Sequence, residues 1–360
     1  MSYNDYRRKS RPVQVGRITV GGDAPVSVQS MTNTKTSDIE ATVAQIRALQ
    51  SAGCDIVRMA VPDADTVRAF GVIREQIPDL PLVADIHFDY RLAVGCAEAG
   101  ADKIRINPGN IGDAERVRAV VSACRQRNIP IRIGVNSGSL EKHILAQYGA
   151  PTAEALAQSA MEHVRLLEQN DFYDILISVK SSDPRVMIGA NRLLAEMTPY
   201  PLHLGVTEAG TPRHGIIKSS AGIGSLLCDG IGDTVRVSLT ADPLEEVAAG
   251  RALLDALGVS PRNITVVSCP TCGRTRIDLI ALAQEFERRM ARGDIRYTGN
   301  LKVALMGCAV NGPGEAREAD IGIAGGVGEA VLIRHGEIVR KLPEEHILDE
   351  LIDEINRFTP

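Results

Sequence analysis

The sequence contains no tryptophan, and aromatic residues make up only 3% of its 360 positions. A chain this poor in large rings must build its core from aliphatic side chains. It is long enough for one large domain or two smaller ones. No apolar run approaches the ~20 residues that a membrane-spanning helix needs. Positive charge is not in excess either. The formal net charge is −5, which argues against a nucleic-acid binder working through a basic surface. The twin arginine at Arg7 and Arg8 is followed by no apolar stretch, so no secretion signal is expected. The chain is expected in the cytoplasm, where thiols stay reduced. A dinucleotide fingerprint is missing as well. The loop "SMTNTKTSD" after the first long apolar strand holds no glycine, "GGVGEA" (325–330) lacks the third glycine and comes far too late, and there is no Walker sequence.

What is present is a repeated unit of apolar strand, polar loop and amphipathic helix. The strands read "VSVQSM" (26–31), "IVRMAV" (56–61), "LVADIHF" (82–88), "KIRINP" (103–108), "IRIGVN" (131–136), "DILISVK" (174–180), "LHLGVTE" (202–208) and "TVRVSL" (234–239). Ser37 with Glu40, and Asp242 with Glu245, read as capping boxes. Asp183-Pro184 and Asp242-Pro243 place a cap before a proline at the first helical position. Eight strands alternating with helices predict an α/β fold, a (β/α)8 TIM barrel over residues 1–258. The segment "VQVGRITVGGDAP" ahead of it predicts a hairpin that plugs the barrel bottom. After the short linker "GVSPRN", residues 264–360 predict a smaller α+β domain, with helices at 276–292 and about 344–357.

Parallel barrel strands are buried on both faces and should read as Val, Ile and Leu throughout. These do not. Asp85, His87, Asn107, Asn136, Lys180, Glu208 and Ser238 lie in the later half of a strand or at its end, and Arg58, Arg105, Arg132 and Arg236 lie on the same strands ahead of that half. The pairs 85/87, 105/107, 132/136 and 236/238 are two or four residues apart, so each shares one face, which must be the lumen. Barrel enzymes place their chemistry at this end of the strands. Five cations (58, 105, 132, 180, 236) face two carboxylates (85, 208). The excess charge would be costly to bury without a partner, so a bound anion is expected. Several guanidinium forks with one lysine suit phosphate or diphosphate. The stretch "EAGTPRHGIIKSSAGIGS" (208–225) adds Lys218, Ser219 and Ser220 near the usual phosphate position of such barrels.

Of seven cysteines, Cys54, Cys96, Cys124 and Cys228 sit among apolar or small neighbours and read as buried small hydrophobes. Cys269, Cys272 and Cys308 are surrounded by turn residues. With Glu315 they form the spacing Cys-x2-Cys-x35-Cys-x6-Glu. A disulfide is not expected in the cytosol. Zinc on three thiolates and one further ligand remains open. An iron–sulfur cluster uses thiolates and tolerates a different ligand on one iron. The turns "CPTC" and "NGPGE" bend the chain around a bulky object better than around a single ion.

Both loops, "SCPTCGRT" and "GCAVNGPGEA", resemble the iron–sulfur domain of the 4-hydroxy-3-methylbut-2-enyl diphosphate synthase family of isoprenoid biosynthesis, in its bacterial two-domain form. The resemblance extends over nearly the whole chain. It includes "SVQSMTNT", "ADIHFDYRLA", "KIRINPGNIG", "IRIGVNSGSL" and "GVTEAGTPRHGIIKSSAGIG". It implies reductive opening and dehydration of 2-C-methyl-D-erythritol 2,4-cyclodiphosphate, with flavodoxin or ferredoxin as electron donor. It implies that Arg58, Arg105, Arg132, Lys180, Arg236 and Ser238 hold the diphosphate and that Asn107 and Asn136 orient the substrate. Asp85, His87 and Glu208 would line the reacting carbons, with Glu208 handling the proton of the leaving hydroxyl. It implies a 4Fe–4S cluster on Cys269, Cys272, Cys308 and Glu315. A carboxylate exchanges more readily than a thiolate, so Glu315 is counted among the catalytic residues too. The rival reading is a phosphate-ligand-binding barrel with a structural zinc module.

Chain geometry adds an expectation about assembly. The eighth barrel helix runs back toward the bottom face, away from the site. The linker 258–263 spans at most ~20 Å, too short to climb the barrel and cross inward over its helix ring. A head-to-tail homodimer, each C-terminal domain capping the partner's barrel, is expected.

Overall fold

A computed structural model describes residues 3–112, 114–260, 264–308, 314 and 316–358. The chain divides into two compact units, Met1–Val259 and Ser260–Pro360.

The first unit opens with a hairpin of β1 (Val13–Val15) and β2 (Ile18–Val20). Gly16 at its turn has φ 54°, and a side chain there would also meet Asp102. The hairpin buries Val13, Val15 and Val20 against Ile56, Val83 and Leu176 of the strands that follow, so it floors the lumen as expected. Eight parallel strands come next: β3 (Ser27–Met31), β4 (Ile56–Ala60), β5 (Leu82–Asp85), β6 (Lys103–Ile106), β7 (Ile131–Asn136), β8 (Ile175–Lys180), β9 (His203–Leu204) and β10 (Thr234–Val235). Their order is β8-β7-β6-β5-β4-β3-β10-β9. A single bridge, Ile177 to Leu202, brings β8 against β9 and nearly closes the ring. The last two strands are shorter than the apolar runs predict. Pro201, at the entry to β9, has no N–H to give to a ladder. Its carbonyl still accepts from Ile177 N at 2.9 Å.

Helix starts follow local chemistry. Asp183 and Asp242 accept from the N–H groups of Arg185 and Leu244, each with proline at the first helical position. The expected box at Ser37 is not the cap. Asp38 takes that place and accepts from Ala41 N at 3.1 Å. The stretch around Lys218 is not a loop. Residues Pro212–Cys228 form one helix with Lys218 exposed on it and Ser219 buried. Cys54, Cys96 and Cys124 are buried as expected, and burial pushes each thiol up to about 12. Cys228 is exposed instead, because it is the last residue of its helix.

The second unit is a five-stranded sheet in sequential order, β11 (Ile264–Ser268), β12 (Leu301–Met306), β13 (Ile321–Gly325), β14 (Glu329–Arg334) and β15 (Glu337–Pro343). The first two pairings are parallel and the last two antiparallel. A core that includes Phe286, Leu305, Ile323, Leu332, Leu351 and Ile355 joins one face to helices Leu279–Arg292 and Ile347–Asn356. A smaller cluster of Ala304, Met306, Ala316, Ala319, Ala324 and Ile333 forms separately from it. The first helix starts three residues later than its periodicity suggests. Asp278 caps it by accepting from Ala281 N at 3.0 Å.

Candidate active site

Period-two alternation puts Arg58, Asp85, Arg105, Arg132, Asn136 and Lys180 on the lumen face of β4 to β8, with Asp85, Asn136 and Lys180 at the C-terminal ends of their strands. With His87, Arg236 and Ser238, and with Met31, Gly134, Ser178 and Thr207, they line one cavity of about 290 Å³. Two positions need glycine for this. A Cβ on Gly134 would sit 2.4 Å from Arg105 Nε, and one on Gly205 would sit 2.7 Å from Lys180 Nζ. Glycine inside an otherwise apolar strand is the signal by which a sequence can betray such close approach.

Asp85 is the hub. Its Oδ1 accepts from Arg105 at 3.0 Å, while Oδ2 lies 3.6 Å from both Arg58 Nε and His87 Nε2. Burial alone would push its carboxyl up. Arg58, His87 and Arg105 outweigh that and hold it well below the usual carboxylate range. Arg58 is brought down to about 10, by burial first, then by Arg236 and Arg105 against the pull of Asp85. It also donates to Met31 Sδ at 3.0 and 3.2 Å.

The second carboxylate of the site is Glu246, which the sequence pattern did not disclose. It lies in the first turn of helix Pro243–Ala256 and reads there as an ordinary dipole-compensating residue. Only the fold shows that it is buried and grips Arg236 with both oxygens, at 3.1 and 3.2 Å. Ser30 Oγ and Leu239 N complete its partners.

Glu208 is the expected carboxylate that does not join them. It is exposed, does not line the cavity, and holds φ 52°, a left-handed conformation uncommon for a residue with a side chain. Asn107 is buried at the end of β6 but does not line the cavity either. His87 stands at the rim with its side chain 56% exposed.

Four guanidiniums and Lys180 therefore converge on two carboxylates, both already engaged. Arg132 is 1% exposed, yet its Nε and one terminal nitrogen find no protein acceptor. Burial, Arg58 and Arg105 push its charge toward loss, and Asp85 only partly opposes them. Burial, Arg236, Arg58 and Arg132 likewise hold Lys180 well below the ordinary lysine value. Such a cavity is built to receive negative charge from outside the protein.

In the second unit Cys269 directly follows β11, and Cys308 lies two residues past β12, its parallel neighbour. Cys269 N donates to Leu305 O at 3.2 Å, and Gly307 N donates to Cys269 Sγ at 3.3 Å. Arg276 N donates to Gly307 O at 2.8 Å, which ties the turn holding Cys272 to the same strand ends. Cys272 N donates to Thr275 Oγ1 at 3.1 Å. A hydrogen bond from the Arg274 backbone, aided by the Arg274 side chain, lowers the Cys272 thiol from its ordinary value.

Donors aimed at sulfur favour the thiolate, the form that binds iron or zinc. Cys269 and Cys308 follow the ends of two paired parallel strands, with the turn of Cys272 tied to the same ends, so the residue types present fit a thiolate-ligated group. Glu315 lies outside the described residues. Among the described residues no three His, Cys, Asp or Glu side chains are gathered to hold a metal ion. No helix among them is long and apolar enough to cross a membrane.

The chain matches the GcpE TIM-barrel domain over residues 10–251 and the GcpE protein C-terminal domain over residues 265–357. It is 59% identical to a 4-hydroxy-3-methylbut-2-en-1-yl diphosphate synthase (flavodoxin) of Clostridium perfringens, covering 96% of this chain and 98% of that relative. It is 57% identical to the synthase of the same description from Anoxybacillus flavithermus, covering 99% and 97%. Among solved structures it resembles type I 3-dehydroquinate dehydratase of Clostridium difficile, with TM-score 0.52 and 15% identity over 69% of this chain and 98% of that one. It also resembles dihydropteroate synthase of Stenotrophomonas maltophilia, with TM-score 0.50 and 15% identity over 68% and 97%. At such identities these two likenesses speak for the barrel fold alone.

Proposed function

The chain belongs to the GcpE family, and from that premise we infer that its two units together form 4-hydroxy-3-methylbut-2-en-1-yl diphosphate from 2-C-methyl-D-erythritol 2,4-cyclodiphosphate. It is a redox enzyme of the iron–sulfur class, in a family whose relatives are named for flavodoxin. Two electrons and two protons enter, the ring carbon–oxygen bond to the diphosphate breaks, and one oxygen leaves as water. The observation that carries this reading is the cavity of β4 to β10. Its cations outnumber its carboxylates, and Arg132 keeps two buried nitrogens without a protein acceptor.

Arg58, Arg105, Arg132, Lys180 and Arg236, with Ser238, bind the diphosphate and stabilise the charge that grows on it as the ring opens. Asn136 in the cavity and Asn107 beside it orient the carbon chain. Asp85 keeps Arg58 and Arg105 extended toward the anion. With His87 at the rim, it is proposed to line the reacting carbons. Glu208 stands outside the cavity, exposed to solvent and held at φ 52°, and its proposed part is to pass a proton from solvent to the departing hydroxyl. A strained backbone at such a position is a known price of placing a functional side chain.

Cys269, Cys272, Cys308 and Glu315 hold a 4Fe–4S cluster. When bound, it supplies electrons one at a time. The lowered Cys272 thiol and the placement of Cys269 and Cys308 after paired parallel strands support a thiolate-ligated group over a free-thiol role, and family membership favours the cluster over zinc. The short linker supports a head-to-tail homodimer in the cytoplasm, with each cluster unit serving the partner's barrel.

Anaerobically purified protein tests this. It should be brown, bleach with dithionite, and convert the cyclodiphosphate when supplied with reduced flavodoxin. A colourless protein with one zinc per chain and no turnover would sink the reading in favour of the zinc module. Mixed dimers of Cys308→Ser and Lys180→Ala chains should regain one working site. If verified mixed dimers stay silent while each parent chain folds, the cross-subunit site is wrong.

A further inference from the structure

Beneath the anion cavity lies a second polar layer that the proposed chemistry does not use. Lys103 stands two residues before Arg105 on the lumen face of β6 and is fully buried. Its Nζ reaches across the lumen to Gln29 Oε1 on β3 at 3.4 Å, longer than a charged donor would hold it. The amide nitrogen of Gln29 finds no protein acceptor.

The groups that face Lys103 from every side explain its state. Arg132 on β7 and Arg58 on β4 both oppose a positive charge there, and burial opposes it more strongly. Asp102 attracts it, but that carboxylate is already engaged by Leu82 N at 2.8 Å and by Arg74. From β5 its register neighbour is the apolar Val83. Asp85, two residues further on, is taken by Arg58 and Arg105. From β9 comes His203, fully buried, with Nδ1 against Thr234 Oγ1 and Nε2 unpartnered. Burial first, then the neighbouring guanidiniums Arg132 and Arg58, push that imidazole well below its ordinary value. No carboxylate in this set is free to balance a protonated Lys103.

We propose that Lys103 is a positioning residue of the anion site, neutral before an anion enters and protonated from solvent as a diphosphate settles on the arginines above it. The field of an anion in a buried lumen is little screened. A group two residues below Arg105 on the same face feels it directly. One proton moves from buffer to Lys103 Nζ, and no bond of the ligand changes. The added charge then holds the anion from below. This rests on the reading that the cavity takes a diphosphate.

Calorimetry on the full-length protein tests it, with the cyclodiphosphate titrated at pH 7.5 in two buffers of different ionisation enthalpy. The expected result is that wild type takes up about one proton more per ligand than Lys103→Met, since proton uptake is the pH slope of the binding constant. Wild-type affinity should accordingly fall with rising pH by up to about tenfold per unit more than that of Lys103→Met. Lys180 is unchanged in both proteins, so its own protonation cancels. A merely structural lysine would change the melting temperature on substitution but not this difference. Lys103→Arg, which stays charged throughout, carries the same test should the methionine variant not fold. It should bind with no extra proton.

Equal uptake and equal pH slopes in wild type and variant would overturn the proposal. Inorganic pyrophosphate separates the two readings. If it binds with the Lys103-dependent difference while the cyclodiphosphate does not bind, the inference stands and the substrate reading falls. If both ligands bind without the difference, the substrate reading stands and the inference falls.

Discussion

Arg105 and Cys269 occupy similar places in their units, each at the C-terminal end of a parallel strand, and they are held in different ways. Arg105 is fixed by another side chain. Asp85 takes it at 3.0 Å, Gly134 leaves it room, and the strands on both sides are buried. Cys269 is met by backbone, through Gly307 N at 3.3 Å. Cys272 is set by a neighbouring hydroxyl and the Arg274 backbone. The barrel therefore builds its binding site from opposed charges fixed by sheet register, before any ligand arrives. The C-terminal unit supplies thiols and the donors that keep them reactive. The first kind of site should fail through loss of charge balance. The second should fail through loss of a single ligand.

The sharpest break is Cys308→Ser. It should abolish the visible cluster absorbance and turnover together, while diphosphate binding to the barrel, read by calorimetry, stays at the wild-type level. Loss of binding as well would mean that the two sites are not separately built.

Asp85→Asn comes next and acts on the barrel. It leaves Arg58 and Arg105 without their shared carboxylate, and breaking a buried pair costs about 3–5 kcal/mol, measurable by denaturant unfolding at pH 7. The sign with pH follows from the depressed carboxyl. Its contribution is fully present above the unfolded value near 3.9 and is lost as pH falls through the folded value. The gap between wild type and variant should be constant from pH 5 to 8 and close only below about pH 4. A gap that already closes at pH 6 would mean that Asp85 is not held by its arginines.

Arg132→Ala is smaller. Losing charge-assisted bonds to the anion costs about 1.5–3 kcal/mol, roughly a 10–150-fold weaker substrate affinity, with the cluster spectrum unchanged. Unchanged affinity would place the substrate elsewhere. The smallest effect belongs to Thr275→Val, which keeps shape and removes the acceptor for Cys272 N. It should cost about 1 kcal/mol in the unfolding of the C-terminal unit and leave the barrel transition where it was. A shift of the barrel transition would contradict the separation of the two units.

Much of the barrel was legible because its signals are local. Alternation places Arg105 with Asn107 and Arg132 with Asn136 on one face whatever the rest of the chain does, and Asp183-Pro184 starts a helix by its own chemistry. What escaped was of two kinds. Glu246 sits on a helix whose periodicity says nothing about a partner ten residues back, so its grip on Arg236 could not be read. Glycines and serines around Lys218 read as part of a phosphate site, but Pro212 begins a helix that carries Lys218 to the outside. The cap at Asp38 rather than Ser37 is a one-residue slip between two residues of nearly equal capping strength.

The sequence by itself determined the alternation of strands and helices, the sign of the charge in the lumen and the thiols at the turns. Each follows from periodicity or side-chain chemistry within a few residues. Only the tertiary structure decided which charges meet. It gave Arg236 to Glu246, left Glu208 outside the cavity at φ 52°, and buried Lys103 beneath the anion site. Those outcomes depend on how far each strand runs before it bends and on which helix packs behind it. Burial, register and the field of distant charges exist only once the chain has closed on itself.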